Sequence, residues 1–122
     1  MRKITVNRKK SLIGCTGTVL IYTIDKIQFD KIIEEEKEIT KDQCVFVGSI
    51  KNGSCLKSEI TYNEIVILSA YDILGLFKVH SAMIIPGGKE EIILNGKVKL
   101  NPARGNPFVF ESRGTRAFFP AH

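Results

Sequence analysis

The chain reads as an all-β protein, an antiparallel sandwich or barrel of about eight strands. Three observations predict this. Short runs rich in β-branched and aromatic residues are separated by turn signals roughly every 8–12 residues. Asn-Gly stands twice between such runs, at Asn52-Gly53 and Asn95-Gly96. That pair marks hairpins because a type I′ turn needs positive φ at both central residues, which Asn tolerates and Gly adopts freely. Strand-like and helical segments nowhere alternate in the manner of βαβ units, and the sequence has no internal repeat or low-complexity segment.

From the amino terminus, Lys3 to Arg8 alternates Ile4 and Val6 against Lys3 and Thr5, the period of a half-buried strand. Ser11 to Gly17 breaks it. Thr18 to Ile24 is β-branched and aromatic and ends at Asp25, so it reads as a second strand buried on much of both faces. Asp25-Lys26 reads as a tight turn, after which Ile27 and Phe29 alternate with Lys26 and Gln28 as a third strand. The alternative is a helix, since Phe29, Ile32 and Ile33 also fit an i, i+3, i+4 stripe that runs into Glu34-Glu35-Glu36-Lys37. Glu34 to Asp42 is a charge run with Ile39 as its lone apolar residue, and reads as a solvated connection.

Val45 to Ile50 and Cys55 to Ile60 flank Asn52-Gly53 and read as a hairpin. A two-residue loop there pairs Lys51 with Ser54, Ser49 with Leu56, Val47 with Ser58 and Val45 with Ile60. Val45, Val47, Leu56 and Ile60 then form the core face, with Phe46 and Ile50 on the more exposed one. Ile65 to Tyr71 is a continuous apolar run of the kind found in central strands. Asp72 to Gly75 turns the chain, Leu76 to Ile85 is extended, and Pro86-Gly87-Gly88 turns into Lys89 to Leu94. Asn95-Gly96 precedes a further strand, Lys97 to Leu100. Asn101 to Pro107 is a loop by composition, Phe108 to Glu111 a last short strand, and Ser112 to His122 a basic tail with Phe118-Phe119.

The 122 residues suit one domain over residues 1–111, with 112–122 as a basic C-terminal tail. Apolar stretches all stop well short of the roughly 18 residues of a membrane helix, and no apolar segment with a cleavage site follows the basic start, so a cytoplasmic protein without membrane partners is expected. The odd number of cysteines, Cys15, Cys44 and Cys55, suits a reducing compartment, and their spacing suits no zinc site. No cofactor is expected.

An enzyme would need a nucleophile, a base and an orienting group that meet. The best set is Cys15 or Cys55 with His80 and one of Asp25, Asp72 or Glu64, and their spacing does not bring them together. Gly87-Gly88 lacks the Lys-Ser/Thr and helix of a phosphate-binding loop. A net charge of +5 permits an acidic partner. Arg2, Arg8, Lys9, Lys10, Arg104, Arg113 and Arg116 lie near both ends of the chain, with aromatic company in Phe118 and Phe119, but helix-turn-helix and aromatic-sheet signatures are missing.

Ile4 to Ser11 with Gly14-Cys15, Gly48 with Lys51-Asn52-Gly53, Asn95-Gly96, and Asn101-Pro102-Ala103 with Gly105-Asn106 and Phe108 together resemble a group of small uncharacterised proteins of clostridia-like, low-GC Gram-positive bacteria. The resemblance covers nearly the whole chain, more loosely in its middle. It implies a compact β-sandwich, immunoglobulin-like or prealbumin-like in outline, and carries no activity. The resulting expectation is a non-catalytic cytoplasmic interaction or assembly module, with a protein or a second copy as partner. The alternative is a binder of nucleic acid or another anionic partner through a basic face, and a cysteine-dependent enzyme comes last. The residues singled out for binding are Arg8, Lys9, Arg104, Asn106 and Arg113, with Cys15 as the thiol nearest a glycine-rich break.

Overall fold

In the computed structural model the described residues are 1–12, 17–88, 91–100 and 106–111. They form eight strands: β1 (Arg2–Arg8), β2 (Val19–Asp25), β3 (Val45–Ile50), β4 (Cys55–Ile60), β5 (Ile65–Ile73), β6 (Leu76–Ile85), β7 (Ile92–Val98) and β8 (Phe108–Glu111). One helix, α1 (Lys26–Glu34), and a single 3-10 turn over Lys41–Gln43 join β2 to β3. Two four-stranded sheets result, ordered β4-β1-β7-β8 and β3-β2-β5-β6. Every pairing is antiparallel except β1 with β7, which is parallel. The sandwich expectation therefore holds, with one parallel pair in it.

The two sheets enclose the main core. Ile4 and Val6 of β1 face Ile21, Ile50, Ile67 and Met83 of the other sheet, with Phe108 and Phe110 filling the β8 side. The alternation on β1 also buries Arg2 and Arg8, which continue the inward row of Ile4 and Val6 at its two ends and are only 4% and 3% exposed. Each guanidinium donates to main-chain carbonyls. Arg2 donates to Thr61 and Asn63, both at 2.8 Å, and to Pro86. Arg8 donates from Nη1 to Ile50 at 2.8 Å and Gly17 at 2.9 Å. Each end of β1 thus pins turns from both sheets, and desolvation lowers the Arg2 pKa from its ordinary value.

Residues Lys26–Glu34 form a helix, the alternative to the third strand that the alternation of Ile27 and Phe29 predicts. Asp25 Oδ1 accepts from the Ile27 amide at 2.8 Å, capping the first turn, and Phe29 and Ile32 bury against Tyr22, Ile24, Val66, Leu68 and Ala82. β5 is apolar on both faces, so its outer face needs a cover, and the stripe on α1 supplies it.

The Asn52-Gly53 turn exists, closed by Ser54 N donating to Lys51 O at 3.1 Å, but the two strands it joins do not pair. β3 pairs with β2 and β4 with β1, so the turn crosses between sheets. Gly53 has φ 74 while Asn52 has no positive φ, which excludes type I′. A bulge at Val47 then reverses the alternation: Ile50 is fully buried, and Val45, placed on the core face by the hairpin register, is 67% exposed. Asn95-Gly96, by contrast, is no turn. It lies inside β7, where a Cβ on Gly96 would stand 2.3 Å from Phe108 Cζ, so the glycine makes room for that ring. The primed turn is at Leu74-Gly75, with φ 52 and 79, between Ile73 and Leu76.

Candidate functional site

Strand directions place four connections at one end of the sandwich: β1 to β2, β3 to β4, β5 to β6 and β7 to β8. Side-chain bonds tie them together. Arg8 reaches Gly17 and Ile50, Ser11 and Asn52 exchange two hydrogen bonds at 3.0 and 2.9 Å, and Tyr71 donates its hydroxyl to Asn106 O at 3.3 Å. At the opposite end lie the start of the helical connection and the two turns held by Arg2, while the stretch after α1 returns along the outer face, with Lys37, Glu38 and Ile39 beside Leu76 to Val79.

Beneath the loop end is a buried polar cluster. Ser69 and Ser81, both fully buried, sit opposite each other on β5 and β6, with hydroxyls 2.6 Å apart. Both also donate to Phe108 O, at 2.8 and 2.7 Å, so β8 is tied to the other sheet. Immediately above, the β6 register slips, since Ser69 faces Ser81 but Ala70 faces Val79, leaving His80 as the extra residue. The bulge turns His80 onto Tyr71, ring centroids 4.5 Å apart. Its Nδ1 has no hydrogen-bond partner among the described residues. Burial, with Lys78 nearby, lowers the His80 pKa to about 4, so the imidazole is neutral at pH 7. Burial raises the Tyr71 hydroxyl.

The surface of this end combines two kinds of side chain. Leu12, Leu74 and Leu100 stand on three different connections and are 93%, 99% and 65% exposed. Ile73 and Leu76 flank Leu74 and are exposed too. Around them lie Lys9, Lys10, Lys51, Lys78, Lys97 and Lys99, four of which, Lys9, Lys10, Lys97 and Lys99, line one open groove with Leu100. Of the carboxylates near this end, Asp72 pairs with Lys41 at 2.6 Å and Glu111 with Lys97 at 3.3 Å, while Glu38 lines a groove with Leu76 and Lys78.

Of the residues singled out from the sequence, Arg8, Lys9 and Asn106 all fall at this end. Arg8 is a buried clamp, Lys9 is an exposed cation whose amide donates to Gly96 O at 2.9 Å, and Asn106 offers its carbonyl to Tyr71. Arg104, Arg113 and Cys15 lie outside the described residues. The partners weighed for His80 are elsewhere: Asp25 caps α1 and Glu64 sits in the β4–β5 turn, both at the far end, while Asp72 points to the outer face. Cys55 is exposed on the edge strand β4, and Cys44 is held protonated, its pKa pushed up by burial to about 11. No cluster of metal-ligating side chains occurs among the described residues.

Sequence reasoning missed the His80 bulge, which leaves no local signature, and the loop leucines, two of which do. Leu12 follows Ser11 in a break between strand-like runs and Leu74 precedes Gly75, so both are apolar residues at turn positions, whereas Leu100 reads as the end of a strand from Lys97 and lies beyond β7. No protein-family model matches the chain, and no curated protein or solved structure matches it.

Proposed function

We propose that the protein is a non-catalytic interaction module that meets an anionic partner with the loop end of its sandwich. The observation that carries this reading is the coincidence, at one end, of exposed leucines on three connections with six lysines. Surface apolar residues scattered singly need no explanation, but a group of them rimmed by one sign of charge marks a contact surface. A non-catalytic role is supported by the chemistry nearby, since the serine hydroxyls are committed to Phe108 O and Nδ1 of His80 has no described carboxylate to orient it. In finer outline we favour the prealbumin-like over the immunoglobulin-like form. Immunoglobulin sandwiches keep their first two strands in one sheet, whereas β1 and β2 lie in different sheets.

The test is retention on a heparin column as a function of salt, with K9E/K10E/K99E beside the unaltered chain. The expected result is salt-dependent retention of the unaltered protein and early elution of the variant. Passage of the unaltered protein in the void at low salt overturns the reading.

A further inference from the structure

We propose that the loop end docks on the surface of an anionic phospholipid bilayer, setting Leu12, Leu74 and Leu100 into the interface while Lys9, Lys10 and Lys99 meet the headgroups. This rests on the reading of the loop end as the contact surface and names its partner. The shape argues for lipid. The leucines project from separate connections at the extremity of the fold, so they suit a deformable apolar layer better than a preformed pocket. The exposed cations described at this end are lysines, which act on phosphates as point charges and need no planar partner. A single-stranded nucleic acid would ask for exposed aromatic rings to stack on. The described aromatic side chains at this end, Tyr71 and Phe77, are half-buried, Tyr71 against His80 and Phe77 against Tyr22.

Backbone conformation adds an independent sign. Leu74 has φ 52, in the left-handed region that a branched side chain occupies at a cost, and it is at the same time the most exposed of these leucines. A leucine placed against both its backbone preference and its solvation is expected where contact with another phase compensates.

Polarity adds a third sign. The far end also exposes apolar groups, Met1 and Val45, but they share a groove with Asp25 and Glu59 and with no lysine or arginine among its described lining. An anionic surface therefore favours the lysine-rimmed loop end over the far groove, which fixes orientation as well as affinity.

The experiment is co-sedimentation of the full chain with vesicles of phosphatidylcholine alone and with vesicles containing a quarter phosphatidylserine. Binding is expected to the acidic vesicles and to fall with salt. Leu74→Asn, which suits the turn and keeps the fold, is expected to weaken partitioning about tenfold. Lys9→Glu with Lys99→Glu is expected to weaken it at least about tenfold. The chain contains no tryptophan, so L74W carries a sole reporter whose emission is expected to shift to the blue on acidic vesicles. Retention on heparin without binding to acidic vesicles overturns the lipid assignment and leaves the contact surface standing. L74N binding like the unaltered chain also overturns it, as does a dimer in sedimentation equilibrium that L74N dissolves.

Discussion

The hydroxyls of Ser69 and Ser81 stand 2.6 Å apart at full burial and converge on one acceptor, the carbonyl oxygen of Phe108. Two protons serve three contacts, so either serine alone still donates to that oxygen. Ser69→Ala and Ser81→Ala are each expected to cost about 1 kcal/mol. The double variant removes both donors from a buried acceptor and is expected to cost more than the sum of the two, by at least about 0.5 kcal/mol. Urea denaturation of the cycle measures this; strict additivity would mean the two hydroxyls act separately.

Gly48 and Gly96 both lie in strands against a side chain of the facing or neighbouring strand, yet alanine should affect them unequally. At Gly96 the new Cβ meets Phe108 Cζ at 2.3 Å and Val109 O at 2.8 Å, a fully buried ring and a backbone atom. The expected cost is about 2 kcal/mol, with partial recovery in G96A/F108L. At Gly48 the Cβ meets Leu56 Cδ1 at 2.5 Å, the end of a flexible, half-buried side chain, and the expected cost is below about 1 kcal/mol. Thermal melts of the three variants rank them.

His80 makes stability depend on pH. Its folded pKa, about 4, lies below the ordinary 6.5, so between those values the unfolded chain binds more protons. Its contribution is therefore complete above pH 6.5 and is lost as pH falls toward 4. The group is half-exposed, so after allowance for solvent screening the effect is about 1 kcal/mol. Chemical denaturation at pH 7 and pH 5 is expected to show a larger loss for the unaltered chain than for H80Q. Equal losses would assign the acid sensitivity to the carboxylates.

Leu74 carries a conformational penalty that another residue would not. Leu74→Asn or Leu74→Gly is expected to raise stability by about 1 kcal/mol, or about 4 °C in Tm, because either tolerates φ near 52. A fall in Tm would show that the leucine packs on something in solution.

The strands were legible because β-branched runs bounded by Gly, Pro and Asn identify themselves locally, and seven of the eight run close to where those runs lie. What local pattern could not decide was partner choice. Asn52-Gly53 makes a turn in any setting, but whether Val45–Ile50 pairs across it depends on β2 offering a better neighbour. The helix was hidden for a related reason. Phe29 fits both period two and period three to four, and the deciding fact is the bare outer face of β5, which belongs to a different part of the chain. The unbroken apolar run Ile65 to Tyr71 did carry that message, since a strand apolar on both faces requires covers on both. At the loop end, Arg8, Lys9 and Asn106 were visible as polar residues near turns. The burial of Arg8 was not, because alternation on β1 predicts its inward direction only once an arginine is allowed inside.

The parallel pairing of β1 with β7 also governs how the chain reaches this state. Asn7 Nδ2 donates to Asn95 Oδ1 at 3.1 Å across 88 residues, and β1 sits between β4 and β7 in the middle of its sheet. On the ribosome, the sheet of β2, β3, β5 and β6 is complete in sequence before β7 has emerged, and its antiparallel neighbours are local enough to form early. The other sheet must wait, with the inward row of Arg2, Ile4, Val6 and Arg8 lacking its second neighbour until β7 arrives. Closure of that long loop is the slow event for the nascent chain, and the interval before it is when β1 is most open to pairing with the wrong strand.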